Sequence, residues 1–339
     1  MMDSEIMVEA VRGALTESAH RGHLAVIDTE RRCVASVGSP LHYTFARSAA
    51  KLLQAIPLLE SCGAAQYAFD DRQIALICAS HNGEDEHASC VLQTLRALGL
   101  DESALRCGVH EPYHRPTADR LKRDGAPLTP LRNNCSGKHA GMLALALWLQ
   151  APAQTYTSAD HPVQRLMLQT VSEMCGLPEA QITLAVDGCG VPVFAMPLAA
   201  LAYAFARLGS PDSLPAQRAE ACRRIVAAIA AQPYYVAGTG RFDTRLAEVT
   251  RGRVIGKMGA EGVYALTIPE RGWGLALKIE DGSARALYPA VMEALIQLDA
   301  LLDHEIASLS EFHRPAVINR HEREVGRLIP VFKLSPGIK

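Results

Sequence analysis

No stretch of the sequence is apolar for the ~20 residues that a membrane-spanning helix needs, and the most apolar runs, such as Ala140 to Leu149, stop well short of it. Neither sign of charge is in excess: 34 Lys and Arg stand against 36 Asp and Glu, a formal net charge of -2. That balance removes the electrostatic argument for nucleic acid as a partner, although a local pocket for a small anion remains compatible with it. None of the cysteines at positions 33, 62, 78, 90, 107, 135, 175, 189 and 222 forms a Cys-x-x-Cys pair, which excludes a compact zinc ribbon or thioredoxin-like site. Odd in number and scattered, they are expected mostly as reduced, buried small hydrophobes. The opening residues Met1-Met2-Asp3-Ser4-Glu5 are acidic and lead into no apolar signal core, so a cytoplasmic protein without a membrane partner is expected. No internal repeat or low-complexity tract is apparent.

What is present is a chain of 339 residues, 49% hydrophobic and 21% charged, enough for one large domain or two ordinary ones with a substantial core. Leu24 to Ile27 and Cys33 to Val37 read as a hairpin about Asp28-Thr29-Glu30-Arg31. A helix follows from Arg47, with Pro57 bending or shortening it. Ile74 to Ala79 is a continuous apolar run that periodicity leaves open between strand and buried helix. It delivers the loop Ser80-His81-Asn82-Gly83, after which Glu84 to Leu98 reads as a helix with acidic residues at its start. Cys107 to Pro130 reads as a long surface excursion. Helices are expected over 138–149, from Pro162 to a stop at Gly176, and near 197–208 and 214–229. Ile182 to Val186 is a short extended segment. The last third returns to strands near 253–259, 262–268 and 274–279, then a helix over 284–302, and 312–339 shows no strong pattern. Strands at both ends around a helical middle, without βαβα alternation, predict an α+β fold. The expected form is an antiparallel sheet built from both chain ends with an inserted helical subdomain. The boundaries expected are 1–50 with 235–339 for the sheet part and 51–234 for the helical part, one catalytic unit with its site between them.

Three short motifs follow one another: Ser48-Ala49-Ala50-Lys51, Ser80-His81-Asn82 and Lys257-Met258-Gly259. Serine β-lactamases and penicillin-binding proteins use Ser-x-x-Lys, Ser-Asp-Asn and Lys-Thr-Gly in that order. A serine at the start of a helix has a lysine one turn on within reach of its hydroxyl. Two lysines sharing such a site disfavour each other's charge, which favours a neutral amine as base. The bland alternative is a helix-start serine and a solvated lysine. His81 and Met258 depart from the lactamase pattern and argue against β-lactam recognition. A denser stretch, Arg132-Asn133-Asn134-Cys135-Ser136-Gly137-Lys138-His139-Ala140-Gly141-Met142, holds polar groups suited to a small substrate, Asn133 and His139 among them. Arg132 is the one read as structural, pairing with a carboxylate. Cys135 and the glycine-flanked Cys189 could supply soft ligands to zinc, with Lys138 bound only as a neutral amine; packed thiols are the competing reading. Gly238-Thr239-Gly240-Arg241-Phe242 lacks phosphate-loop spacing, leaving close approach to a substrate or an ordinary turn.

These motifs, with Asp187-Gly188-Cys189-Gly190-Val191-Pro192 and Lys257-Met258-Gly259-Ala260-Glu261-Gly262, closely resemble those of the rhizobial-type L-asparaginases, from about Leu24 to Gly326-Arg327. The resemblance implies a fold akin to serine β-lactamases and glutaminases, a homodimer, and hydrolysis of L-asparagine to L-aspartate and ammonia. It implies two serine–lysine pairs, carried here by Ser48 with Lys51 and Ser80 with Lys257. It also implies one zinc ion per chain on Cys135, Lys138 and Cys189, tuning the site rather than acting as its hydrolytic centre. Acyl transfer through a serine ester is the expected mechanism, with Arg47 and His139 assigned to the substrate carboxylate or to ordering the network. The rival readings are a zinc-water amidohydrolase, a glutaminase, and an amino-acid-binding protein without catalysis.

Overall fold

Asp70 resolves the ambiguity of the apolar run that precedes Ser80. In the computed structural model, which describes residues 4–61 and 63–337, the Asp70 carboxylate accepts the Gln73 amide and the Gln73 side chain accepts the Asp70 amide. This reciprocal cap satisfies two amides that a helix start leaves orphaned, so Asp71–Ile77 is a helix and not a strand. Cys62 lies outside the described residues; of the other eight cysteines only Cys33 is not buried.

The chain divides into two units, Met1–Ala49 with Ala195–Ser210 and Val249–Lys339, and Ala50–Phe194 with Pro211–Glu248. In chain order the strands are β1 (Glu5–Arg12), β2 (Leu15–Asp28), β3 (Cys33–Val37), β4 (Tyr43–Phe45), β5 (Thr183–Val186), β6 (Pro192–Pro197), β7 (Ile255–Gly259), β8 (Val263–Ile268), β9 (Trp273–Ile279), β10 (Ala316–Ile318), β11 (Glu324–Pro330) and β12 (Ser335–Pro336). The first unit is built on an antiparallel sheet in the order β10-β11-β1-β2-β9-β8-β7, with β3 branching from β2 and carrying β12. Both chain ends therefore supply the sheet, the α+β arrangement of the serine β-lactamase-like fold. Helix Leu198–Gly209 covers one face, where Gly274 lacks the side chain that would collide with Ala202 O. Helix Ala284–Gln297 covers the other, its Tyr288 ring edge-on to Tyr264 of β8. Side-chain alternation along β8 and β9 produces the two apolar faces.

The sequence reading begins its sheet at Leu24 and assigns nothing past Phe312, whereas the structure adds β1, a longer β2, and β10 to β12. These strands take their place from each other: Val8 pairs with Pro330 and Arg12 with Gly326 across almost the whole chain. A partner so distant leaves no local signature.

The second unit is helical. Lys51–Glu60 continues through Pro57, and Ser136–Trp148 is buried on all sides from Ser136 to Ala146. Helix Pro162–Cys175 opens on the His161 ring, which accepts the Val163 amide, and closes on left-handed Gly176, as proline and glycine at its ends predict. The excursion after Cys107 contains a further helix, Arg115–Arg123. Gly137 allows Ser136–Trp148 to cross the Asp71–Ile77 helix closely, since a Cβ there would lie 2.2 Å from Leu76 O.

Candidate active site

Lys51, the first residue of its helix, is 1% exposed. Its Nζ donates to Ala79 O at 2.6 Å, Ser80 Oγ at 3.0 Å, Asn134 O at 3.3 Å and Cys135 Sγ at 3.2 Å. A buried lysine is tolerable only when so surrounded by acceptors. Ser80 is held there because its amide, and that of Asn82, donate to Val236 O and Ala237 O at 2.9 and 2.8 Å.

The loop behind Ser80 is fixed by side chains of the dense polar stretch. His81 is fully buried; its Nδ1 accepts the Gly83 amide at 3.1 Å, so Nε2 carries the hydrogen given to Ser136 Oγ at 2.9 Å. Burial, then the neighbouring His87 and Lys51, hold His81 far below the usual histidine range. Arg132 donates to Gly83 O at 2.9 Å and Asp85 at 2.7 Å, the structural pairing the sequence indicates. Asn133 is engaged on every side: its amide nitrogen donates to Cys107 O and Gly108 O, and its oxygen accepts the Cys135 amide.

Cys135 and Cys189 are hydrogen-bonded to each other. The hydrogen bond from Cys189, followed by the charges of Lys51 and Lys138, holds Cys135 well below the usual thiol range, while the same bond pushes Cys189 up. Burial opposes the charge of Lys138, but Cys135 and Cys189 outweigh it and raise its pKa; its Nζ donates to Cys189 Sγ at 3.1 Å. This arrangement corrects the expectation of zinc on Cys135, Lys138 and Cys189. Among the described residues no group of three or more His, Cys, Asp and Glu side chains is placed to hold a metal. The third member of the trio, Lys138, turns its Nζ hydrogen onto Cys189 Sγ, and a protonated amine has no lone pair to offer a metal.

His139, next along the helix, is also completely buried and is held far below its ordinary pKa by burial and by Lys138 and Lys51. Its Nδ1 lies 2.7 Å from Tyr156 Oη, which itself accepts the Arg106 amide at 2.9 Å; Nε2 has no partner among the described residues.

The remaining predicted residues belong to the sheet unit. Arg47 and Ser48 are half-buried in the 3-10 turn Arg47–Ala50, and Lys257 is fully buried on β7, its Nζ donating to Met258 O at 2.8 Å. The structure thus joins Lys51 to Ser80 and Cys135 directly, and Lys138 to Cys189.

Sequence reading overlooked Glu84. This buried carboxylate accepts the Thr239 amide and hydroxyl, both at 2.8 Å, while Arg241 donates to Asn82 Oδ1 at 2.8 Å. Together they fasten the glycine-rich loop after Ala237 to the Ser80 loop. The glycines of that loop were the available signal; the identity of the anchoring acid was not, because it lies 155 residues away.

An antiparallel sheet from both chain ends and an inserted helical unit make up the α+β architecture of the serine β-lactamase-like fold class, which by itself leaves the activity open. The family description L-asparaginase II matches residues 8–330, and the chain belongs to that family. It is accordingly an enzyme, a hydrolase of the asparaginase type acting on a small amino-acid substrate. Similar solved structures include a β-lactamase from Mycobacterium bovis, at 16% identity over 86% of this chain and 95% of that one, with a TM-score of 0.40. Another is Mglu in its native form, at 15% identity over 83% of this chain and 65% of that one, with a TM-score of 0.49. No curated protein matches the chain. No helix among the described residues is long and apolar enough to cross a membrane.

Proposed function

We propose that the protein hydrolyses L-asparagine to L-aspartate and ammonia by acyl transfer through a serine ester. The observation that carries this reading is the 3.0 Å contact of buried Lys51 Nζ with Ser80 Oγ, in a chain of the asparaginase family. Ser48 Oγ attacks the side-chain amide carbon while its proton is taken by Lys51 in its neutral form, or passed through Ser80 and Lys257, the second serine–lysine pair. The tetrahedral adduct collapses as the C–N bond breaks and a lysine returns the proton to departing ammonia. Water then cleaves the aspartyl ester, regenerating the serine hydroxyl. Arg47 and His139 take the α-carboxylate or order the network, and Asn133 shapes the loop that bears Cys135. The enzyme acts as a homodimer in the cytoplasm, which sedimentation and fractionation check. Asparagine and glutamine differ by one methylene, worth only ~1–3 kcal/mol in pocket discrimination, and ammonia release measured with each ranks them.

A second assignment has a specific observation in its favour: Ser80 is the hydroxyl that Lys51 touches, so Ser80 attacks and Ser48 relays. Trapping the acyl-enzyme and locating the modified serine separates the two. Ammonia release from asparagine by wild type, absent in both Ser48→Ala and Ser80→Ala, supports the mechanism; near-normal turnover in both variants defeats it.

A further inference from the structure

Arg47 is one of the non-glycine residues with positive φ, at 49°, and it immediately precedes Ser48. Left-handed backbone is costly for a side chain of this size and persists only where its surroundings enforce it. The turn that contains both residues is closed by the Ala49 amide donating to Ala46 O at 3.1 Å.

What presses on that turn is a missing side chain. A Cβ built on Gly259 would lie 2.7 Å from Ala46 O and 3.3 Å from Ala49 N, the two ends of the closing hydrogen bond. Gly259 ends β7, in register with Val263, while Lys257 pairs with Ala265. Residues two apart on a strand face the same side, so buried Lys257 projects from the face of β7 on which Gly259 meets the Ser48 turn. Chain geometry leaves little freedom here: the strand can approach the turn this closely only because position 259 carries no Cβ.

We infer that Gly259 is a positioning residue for catalysis, setting the Ser48 hydroxyl at its working distance from the lysine strand by clamping the left-handed turn at Arg47. This rests on Ser48 being the attacking group, as proposed above. The clamp acts on the backbone of the turn, and through it on the nucleophile's place.

The test compares ammonia release by Gly259→Ala, Gly326→Ala, Ser48→Ala, Arg47→Gly and Arg47→Ala, with kcat, KM and thermal midpoint measured for each. Gly326 is the crowding control, since a Cβ there would meet Val11 O at 2.2 Å elsewhere in the sheet. Displacing a nucleophile by around 1 Å costs ~100-fold, so Gly259→Ala is expected to lose ~10–100-fold in kcat with KM within ~3-fold. Gly326→Ala, corrected for folded fraction, keeps kcat within ~2-fold. Arg47→Gly and Arg47→Ala both lack the guanidinium, but only glycine adopts positive φ freely. A kcat for Arg47→Gly at least ~3-fold above that of Arg47→Ala therefore supports the clamp, and does so even if Gly259→Ala does not fold. The inference is overturned if Gly259→Ala keeps wild-type kcat while Ser48→Ala is inactive, if Gly326→Ala loses as much as Gly259→Ala, or if the two Arg47 variants are equal. Full turnover by Ser48→Ala would instead remove Ser48 as nucleophile, and the inference would fall with that assignment.

Discussion

The stretch from Arg132 to His139 and the turn from Ala46 to Ala49 are built by opposite means. The first is crowded with polar side chains, and most of them hold protein rather than face a reactant: Arg132 pins Asp85 and Gly83, Asn133 ties down Cys107 and Gly108, Ser136 receives His81, and Lys138 answers the Cys135–Cys189 pair. The second has one serine and one arginine among alanines, and its shape depends on a main-chain hydrogen bond, a positive φ and the absent side chain of Gly259. Density of reactive residue types therefore locates a scaffold here. The nucleophile proposed lies where chemistry is sparse and geometry is tight.

The comparison breaks most sharply on the serines. Ser48→Ala is expected to reduce kcat for ammonia release by at least ~10³-fold, the scale of losing a nucleophile, with Tm nearly unchanged. Retained turnover in that variant would move the attack to Ser80, the hydroxyl that Lys51 touches.

A smaller effect separates the two regions by stability. Cys135→Ala removes the buried thiolate against which the charges of Lys51 and Lys138 are set, and breaking a buried pair in this way costs ~3–5 kcal/mol. Urea unfolding should show that loss, with part of it recovered in Cys135→Ala combined with Lys138→Met. A variant as stable as wild type would mean that the sulfur–lysine network is not the support described. Tyr156→Phe strips the Arg106 amide and His139 Nδ1 of their shared partner, at ~1–3 kcal/mol; an unchanged unfolding midpoint would argue against that chain of bonds.

The least effect concerns pH. Arg132, and then Arg120, hold the mainly exposed Asp85 carboxyl below its usual range against a small desolvation cost. Its pKa is depressed on folding, so the stabilisation is fully present above the unfolded carboxylate value of ~4 and disappears as pH falls through the folded one. Solvent screening limits it to ~1 kcal/mol or less. Asp85→Asn should remove that dependence from acid unfolding curves, and a variant curve parallel to wild type below pH 4 would refute it.

Much of this was legible in residue order. The helix over 162–175 is framed by its own cap, proline and glycine, and the hairpin of β8 and β9 by alternating apolar residues and a turn. The Asp70-x-x-Gln73 cap was present too and would have decided the 71–77 run. Two sulfurs and a lysine look like zinc ligands in a list of residue types, and only the contacts show the lysine spending its hydrogen on Cys189 with no third ligand beside it among the described residues. Tyr156 and Glu84 carry no motif, and their partners lie 17 and 155 residues away.

By itself the sequence determined the family and the α+β class, because these depend on local periodicity, capping and short motifs. Only the tertiary structure decided that β1 pairs with β11, that Lys51 meets Ser80 and Cys135, and that Gly259 bears on the turn of Ser48. Each of these is a contact between segments far apart in the chain, set by packing volume and by the need of buried polar groups for partners, neither of which a residue's own neighbours encode.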